Sequence, residues 1–179
     1  MGPFRGAKWG PKYEGHMRVP TLAWWPGTIP PASTTNQIAA TIDILPTLAN
    51  LTDAEVPKDR VIDGRDITDI LLAKPGANSP HDVLFYEIEG VRKGRWKLVL
   101  VKEKYELYDL ETDIGEKNNL AEKFPQKLNE LKGLLDKHKQ YLQKNRRPAA
   151  FVENPKALLT DTEGLPTLAE YMGWQEKEI

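Results

Sequence analysis

The chain has 179 residues, 40% of them hydrophobic, enough for one substantial core with a smaller appended unit. Its 25 basic and 26 acidic residues leave a formal charge of −1, so no global field draws it to nucleic acid or an anionic membrane, and any anion site has to be local. The absence of cysteine excludes disulfides, thiolate metal sites and a cysteine nucleophile within this chain, and no apolar run reaches membrane-spanning length or reads as a signal peptide.

The first segment, FRGAKWGPKYEGHMRVP from Phe4 to Pro20, crowds glycine, proline and charge around Trp9. Taken alone it is either a solvent loop or a segment built to grip an anion. VPTLAWWPG follows, an apolar run stopped by Pro26-Gly27, and Thr21 to Trp25 is expected as a strand buried on both faces. After the loop IPPASTTNQ, the stretch TIDILPTLANLT sets Ile44, Leu45, Leu48, Ala49 and Leu51 at helical spacing. Asp43 is its N-cap candidate, and Pro46 falls in the tolerant first turn. IDGRDITDILLAK repeats the device: a turn at Asp63-Gly64, a cap candidate at Asp66 and a short helical turn ending near Ala73.

Past KPGANSPHD the character changes. VLFYEIEGVRKGRWKLVLVKEKYELYDLE holds aromatic and β-branched runs broken at Glu89-Gly90, Lys93-Gly94 and Glu103-Lys104, the spacing of a four-stranded antiparallel meander. In the next segment Leu128, Leu131, Leu135, His138 and Leu142 form one stripe of an amphipathic helix, expected to lie across one face of that sheet. The lysines at 127, 132, 137, 139 and 144 read as its solvated face, because acidic residues interrupt them and no aromatics interleave. From Pro148 onward the chain carries Phe151, Leu158, Leu159, Tyr171 and Trp174, too apolar for a free linker, and is expected to dock on the body.

Five stretches, GPFRGAKWGPKYEGHMRVPTLAWWPGTIP, TIDILPTLANL, IDGRDITDIL, VRKGRWKLVL and LYDLETDIGEKNNLAEKFP, occur in an order that resembles the C-terminal part of the arylsulfatase family, over roughly Gly2 to Leu142. The resemblance implies an α/β fold: a remainder of the alkaline-phosphatase-like core over 1–78, then an antiparallel sheet under a long helix over 79–147, then an extension over 148–179. It implies that Lys8, the lysine of the RGxK loop, reaches the sulfate group of a substrate. A compact ammonium suits that task, neutralising anionic oxygen and charge developing on the leaving group. Gly6, Gly10 and Pro11 would let the backbone approach closely, and Trp9 would wall the pocket. The family carries a second glycine where this chain has His16, which leaves two readings for His16: a pocket residue contributing to selectivity, or, as favoured here, a surface or packed imidazole without chemistry. Glu14 and Arg18, shared with the family pattern, are expected to pin the loop to the following strand. His81 and His138 have no neighbours at metal-ligand spacing in the sequence.

The same family uses a formylglycine made within a Cys/Ser-x-Pro-x-Arg motif and a calcium ion held by aspartates and an asparagine. Neither element is found here. The two serines stand in STTNQ at Ser33 and SPHDV at Ser79, and Met1 occupies the place of the family's metal-ligating asparagine. No cofactor or metal is therefore expected on this chain, while calcium and formylglycine are expected in a full-length parent acting on a sulfate ester. The expectation is a C-terminal piece of a sulfatase that does not turn over alone and either self-associates or pairs with an N-terminal half. The alternative is a stand-alone module binding sulfate or sulfated glycans. The parent's compartment, by the resemblance, is periplasmic or extracellular.

Overall fold

The computed structural model describes residues 2–8 and 10–146; Trp9 and the tail expected to dock, 148–179, lie outside the described residues. Residues 83 to 109 form four antiparallel strands, β1 (Val83–Tyr86), β2 (Gly90–Lys93), β3 (Trp96–Val101) and β4 (Lys104–Asp109), in spatial order β1-β2-β3-β4. The two tight hairpins close Lys93 on Trp96 and Val101 on Lys104. Gly94 supplies the positive φ (57°) of the first; in the second, Lys102 and Glu103 take φ of 45° and 66°, a conformation that side chains adopt at a cost. The expected breaks at Glu89-Gly90 and Glu103-Lys104 sit one residue late, since Gly90 and Lys104 already open strands.

Because side chains alternate across a strand, the sheet has two distinct faces. Val91, Leu98 and Leu107 point to one side, where the helix α4 (Pro125–Asn145) seats Leu131 and Leu135 on them, all five completely buried. Leu128 packs at the margin of this core. His138 continues the stripe by stacking on Phe85, ring centroids 3.8 Å apart and planes 2° from parallel. Burial holds its imidazole below the usual histidine range, against an opposing pull from Asp63. Lys93 and Lys127 both pair with Glu130 on the outer side of α4. The opposite face of the sheet presents Lys97, Val99 and Tyr108, and the N-terminal segment covers it.

Between these parts lie α1 (Glu14–Met17), a 3-10 turn (Thr41–Asp43), α2 (Ile44–Leu51) and α3 (Thr68–Leu71). Asp43 does stand at the N-cap of α2, but its carboxylate makes no capping bond there. It accepts the backbone N–H groups of Ala40 at 2.7 Å and Arg65 at 2.8 Å, and Nε2 of His81 at 2.8 and 2.9 Å. Gly64 makes this possible: a Cβ there would fall 1.9 Å from the Ile42 carbonyl oxygen, so only glycine lets the two backbones run alongside. The N-cap of α3 is Ile67 rather than the expected Asp66, which stands one residue before it and accepts the Thr68 N–H at 2.8 Å.

The strand expected over Thr21 to Trp25 is not formed. The segment is irregular, with Leu22 91% and Trp24 83% exposed. Apolar composition alone does not make a strand; its N–H and C=O groups need a ladder, and among the described residues no strand lies beside it. Val19, Trp25 and the α2 side chains Ile44, Leu45 and Leu48 are likewise exposed.

Candidate functional site

The opening loop is closed on itself before it is fastened to the sheet. The Gly15 N–H donates to the Arg5 carbonyl at 2.7 Å, and a Cβ on Gly15 would sit 2.5 Å from that oxygen and 2.7 Å from the oxygen of Gly6. Glycine at this position brings α1 against the start of the loop. Gly6 takes φ of 89°, beginning the turn on which Lys8 stands exposed. His16 lies in α1, half-buried, its Nδ1 atom inaccessible and without a hydrogen-bond partner among the described residues. A Cβ on Gly6 would lie 3.8 Å from the His16 backbone nitrogen, so the RGAK turn and α1 belong to one small unit.

Beneath that unit is a buried cluster of charge. Lys97 of β3 is fully buried, and its Nζ stands 2.9 Å from Glu14 Oε1 and 2.9 Å from Glu116 Oε1. The contact with Glu116 is an ion pair without the alignment of a hydrogen bond. Lys97 Nζ also lies 4.5 Å from the centroid of the Tyr86 ring. Glu14 receives more: Arg18 at 2.8 and 3.0 Å, the Tyr86 hydroxyl at 3.1 Å and Arg92 at 3.9 Å. Burial works to raise the Glu14 pKa, but Lys97 and Arg18 outweigh it and hold the carboxyl below the usual range. For Glu116 burial wins, and its pKa is raised, because Lys97 is the one cation that reaches it by ion pair among the described residues.

A second set of contacts holds the rim. Arg5 donates to the Tyr108 hydroxyl at 3.0 Å and to the Glu116 carbonyl at 2.8 Å, with its guanidinium 4.0 Å from the centre of the Tyr13 ring. Tyr13 and Tyr108 both donate to Glu106 Oε2 at 2.6 Å. Burial and the Glu106 carboxylate push the Tyr13 hydroxyl up to about 12 and raise Tyr108 as well. Lys12 reaches Glu87 at 3.0 Å.

Lys8, Trp9 and His16 were expected in one opening segment. Lys8 and His16 do share the unit just described, while Trp9 is outside the described residues. Glu14 and Arg18 were expected to fasten the loop to the strand after it; instead Glu14 reaches β3, because that strand does not exist and Lys97 supplies the buried cation. Lys97 and Glu116 escaped the sequence reading, since a lysine alternating with apolar residues in WKLVLV reads as solvent-facing. His81, for which the sequence shows no neighbours at metal-ligand spacing, is buried against Asp43. Among the described residues no group of three or more His, Cys, Asp or Glu side chains gathers at metal-binding distance, and neither serine lies in a formylglycine motif. The described residues therefore offer no ligand set that fits calcium, and the two serines stand in no sequence that fits formylglycine.

The family model described as N-sulphoglucosamine sulphohydrolase, C-terminal, matches residues 10–146. An arylsulfatase of Hemicentrotus pulcherrimus is 41% identical over 98 residues, 52% of this chain and 17% of that protein. The steryl-sulfatase of Rattus norvegicus is 44% identical over 85 residues, 48% of this chain and 14% of the relative. The match thus spans under a fifth of the length of either protein. Among solved structures, a 6S-sulf protein from a Bacteroides thetaiotaomicron locus for the metabolism of multiple glycosaminoglycans superposes with a TM-score of 0.67 at 28% identity, over 78% of this chain and 32% of the other. Ps i-CgsB in complex with a neocarrahexaose shares the fold, with a TM-score of 0.68 at 23% identity over 86% of this chain and 35% of that one.

Proposed function

Because the chain belongs to the sulfatase family described as N-sulphoglucosamine sulphohydrolase, C-terminal, we infer that it supplies the C-terminal subdomain and the sulfate-facing cation of an enzyme that hydrolyses organic sulfate esters. The observation that supports this reading is the build of the Lys8 loop: an exposed lysine whose flanking residues are fixed to the sheet by buried charge. A solvent loop has no use for such an anchor. A cation that must meet an anionic group at a fixed point does, because electrostatic stabilisation depends on charges placed before the reaction begins.

In this reading Lys8 binds a sulfate oxygen and offsets negative charge as it develops on the leaving group. The family resemblance assigns Trp9 to the wall of the same site, while His16, with its Nδ1 inaccessible and without a hydrogen-bond partner among the described residues, is read as an imidazole without chemistry. Calcium and formylglycine belong to the rest of a full-length sulfatase, where they supply metal-assisted nucleophilic attack; no step through them is assigned to the residues here. Residues 1–78 carry the loop and complete the α/β core, 79–147 form the sheet-and-helix subdomain, and 148–179 extend from it. The chain by itself is inactive.

The test joins this chain to the N-terminal portion of a sulfatase relative and measures steady-state hydrolysis of an aryl sulfate. Lys8→Ala is expected to lower kcat by about two to three orders of magnitude, the scale for removing one preorganised donor, with an unchanged circular-dichroism spectrum. A joined enzyme indifferent to Lys8→Ala removes the role assigned to that residue.

A further inference from the structure

One buried residue, Glu116, grips both flanks of the Lys8 loop, one through its carboxylate and the other through its main-chain carbonyl. Glu116, in the turn that follows β4, is completely buried. Its Oε2 accepts the backbone N–H of Glu14 at 2.6 Å, on the far side of Lys8, and its carbonyl oxygen accepts Nη1 of Arg5 at 2.8 Å, on the near side. Its backbone φ is 50°, in the left-handed region that a residue with a Cβ occupies only when its surroundings hold it there. The surroundings do so through Lys97, Glu14 and Arg5. None of these contacts stabilises the core between the sheet and α4, which lies on the other face; they converge on the segment that carries Lys8.

We propose that Glu116 is a positioning residue for Lys8: with Lys97 as its counter-ion, it fixes the two ends of the Arg5–Glu14 loop and so sets where the exposed ammonium stands. The proposal rests on the reading of Lys8 as the sulfate-facing cation. It assigns Glu116 no contact with substrate. The clamp has two independent jaws, a side-chain one on Glu14 and a main-chain one on Arg5, so it can be opened from either side.

Two measurements test it. In the chain itself, amide hydrogen exchange is followed in the wild type, Glu116→Gln and Arg5→Gln; the second variant alters a side chain 43% exposed and leaves the buried cluster intact. Exchange at Glu14 and Gly15 is expected to quicken by about tenfold or more, a local opening, while Leu98 and Leu107 keep their protection. Unchanged exchange at Glu14 and Gly15, or an equal rise at Leu98 and Leu107, overturns the clamp. In the joined enzyme, both variants are expected to lower kcat by about 10- to 100-fold when Lys8 is present, the scale of a small misplacement, and to add no further loss to Lys8→Ala. A loss of equal size in both backgrounds shows that Glu116 does not act through Lys8 and overturns the proposal. Should Lys8→Ala itself have no effect, the sulfate-facing reading fails and the positioning role falls with it, whereas the exchange result still decides whether Glu116 clamps the loop.

Discussion

Glu14 and Glu116 share one lysine and are driven in opposite directions by it and by burial. Glu14, with Arg18 added to Lys97, has a folded pKa below its unfolded value, so its ion pairs stabilise the fold above the ordinary glutamate range and that contribution is lost as pH falls through the folded value. Glu116 has a raised pKa, so its contribution is present below the ordinary range and is lost as pH rises through the folded value. Glu14→Gln is therefore expected to lower stability at neutral pH and to flatten its decline on the acid side, which urea denaturation between about pH 3 and pH 7 will measure. An unchanged acid slope in Glu14→Gln contradicts the burial and pairing described here. The family pattern shared by Glu14 and Arg18 announced a charged anchor in the sequence. The anchor's other half was not legible: the partners Lys97 and Glu116 are 83 and 102 positions away, and no local pattern marks a lysine as buried.

At the scale of elements, periodicity was the reliable guide. The meander and α4 follow from the period-two and heptad-like patterns, and both form where expected because each buries the other's apolar face. Val91, Leu98, Leu107, Leu131 and Leu135 close a core between the sheet and α4. The failed element, Thr21 to Trp25, is instructive for the same reason: its composition suits a strand inside a larger sheet, but strand formation is a property of pairs. The β3–β4 hairpin retains a correctable cost. Lys102 and Glu103 both occupy positive φ, where two-residue hairpins favour Asn-Gly. Glu103→Gly is expected to raise the unfolding free energy by about 1 kcal/mol, read from the denaturation midpoint at constant m-value. A destabilised variant shows that the Glu103 side chain contributes more than its backbone costs.

For the whole molecule, the distribution of apolar surface matters most. The sheet is covered by α4 on one face and by the N-terminal segment on the other, whereas the exposed residues Val19, Leu22, Trp24, Trp25, Ile44, Leu45 and Leu48 form apolar surface of a kind that monomers seldom leave uncovered. The purified chain is expected to associate in a concentration-dependent way, with acrylamide quenching of tryptophan fluorescence decreasing as it does. A monodisperse monomer with Trp24 and Trp25 shielded from quencher contradicts both the exposure described and the association. The sequence disclosed family and order of motifs; it did not disclose which apolar runs would remain open, because that depends on what lies next to them.

The central claim is that this chain contributes to a sulfatase active site without containing the chemistry of one. The measurement that tests it most directly is aryl sulfate hydrolysis by the purified chain, with and without added calcium, beside the same chain joined to the N-terminal portion of a sulfatase relative. The account predicts no turnover above a buffer blank for the chain alone in either condition, since no residue in it can serve as the formylglycine nucleophile, and measurable turnover for the joined protein. Hydrolysis by the isolated chain would contradict it.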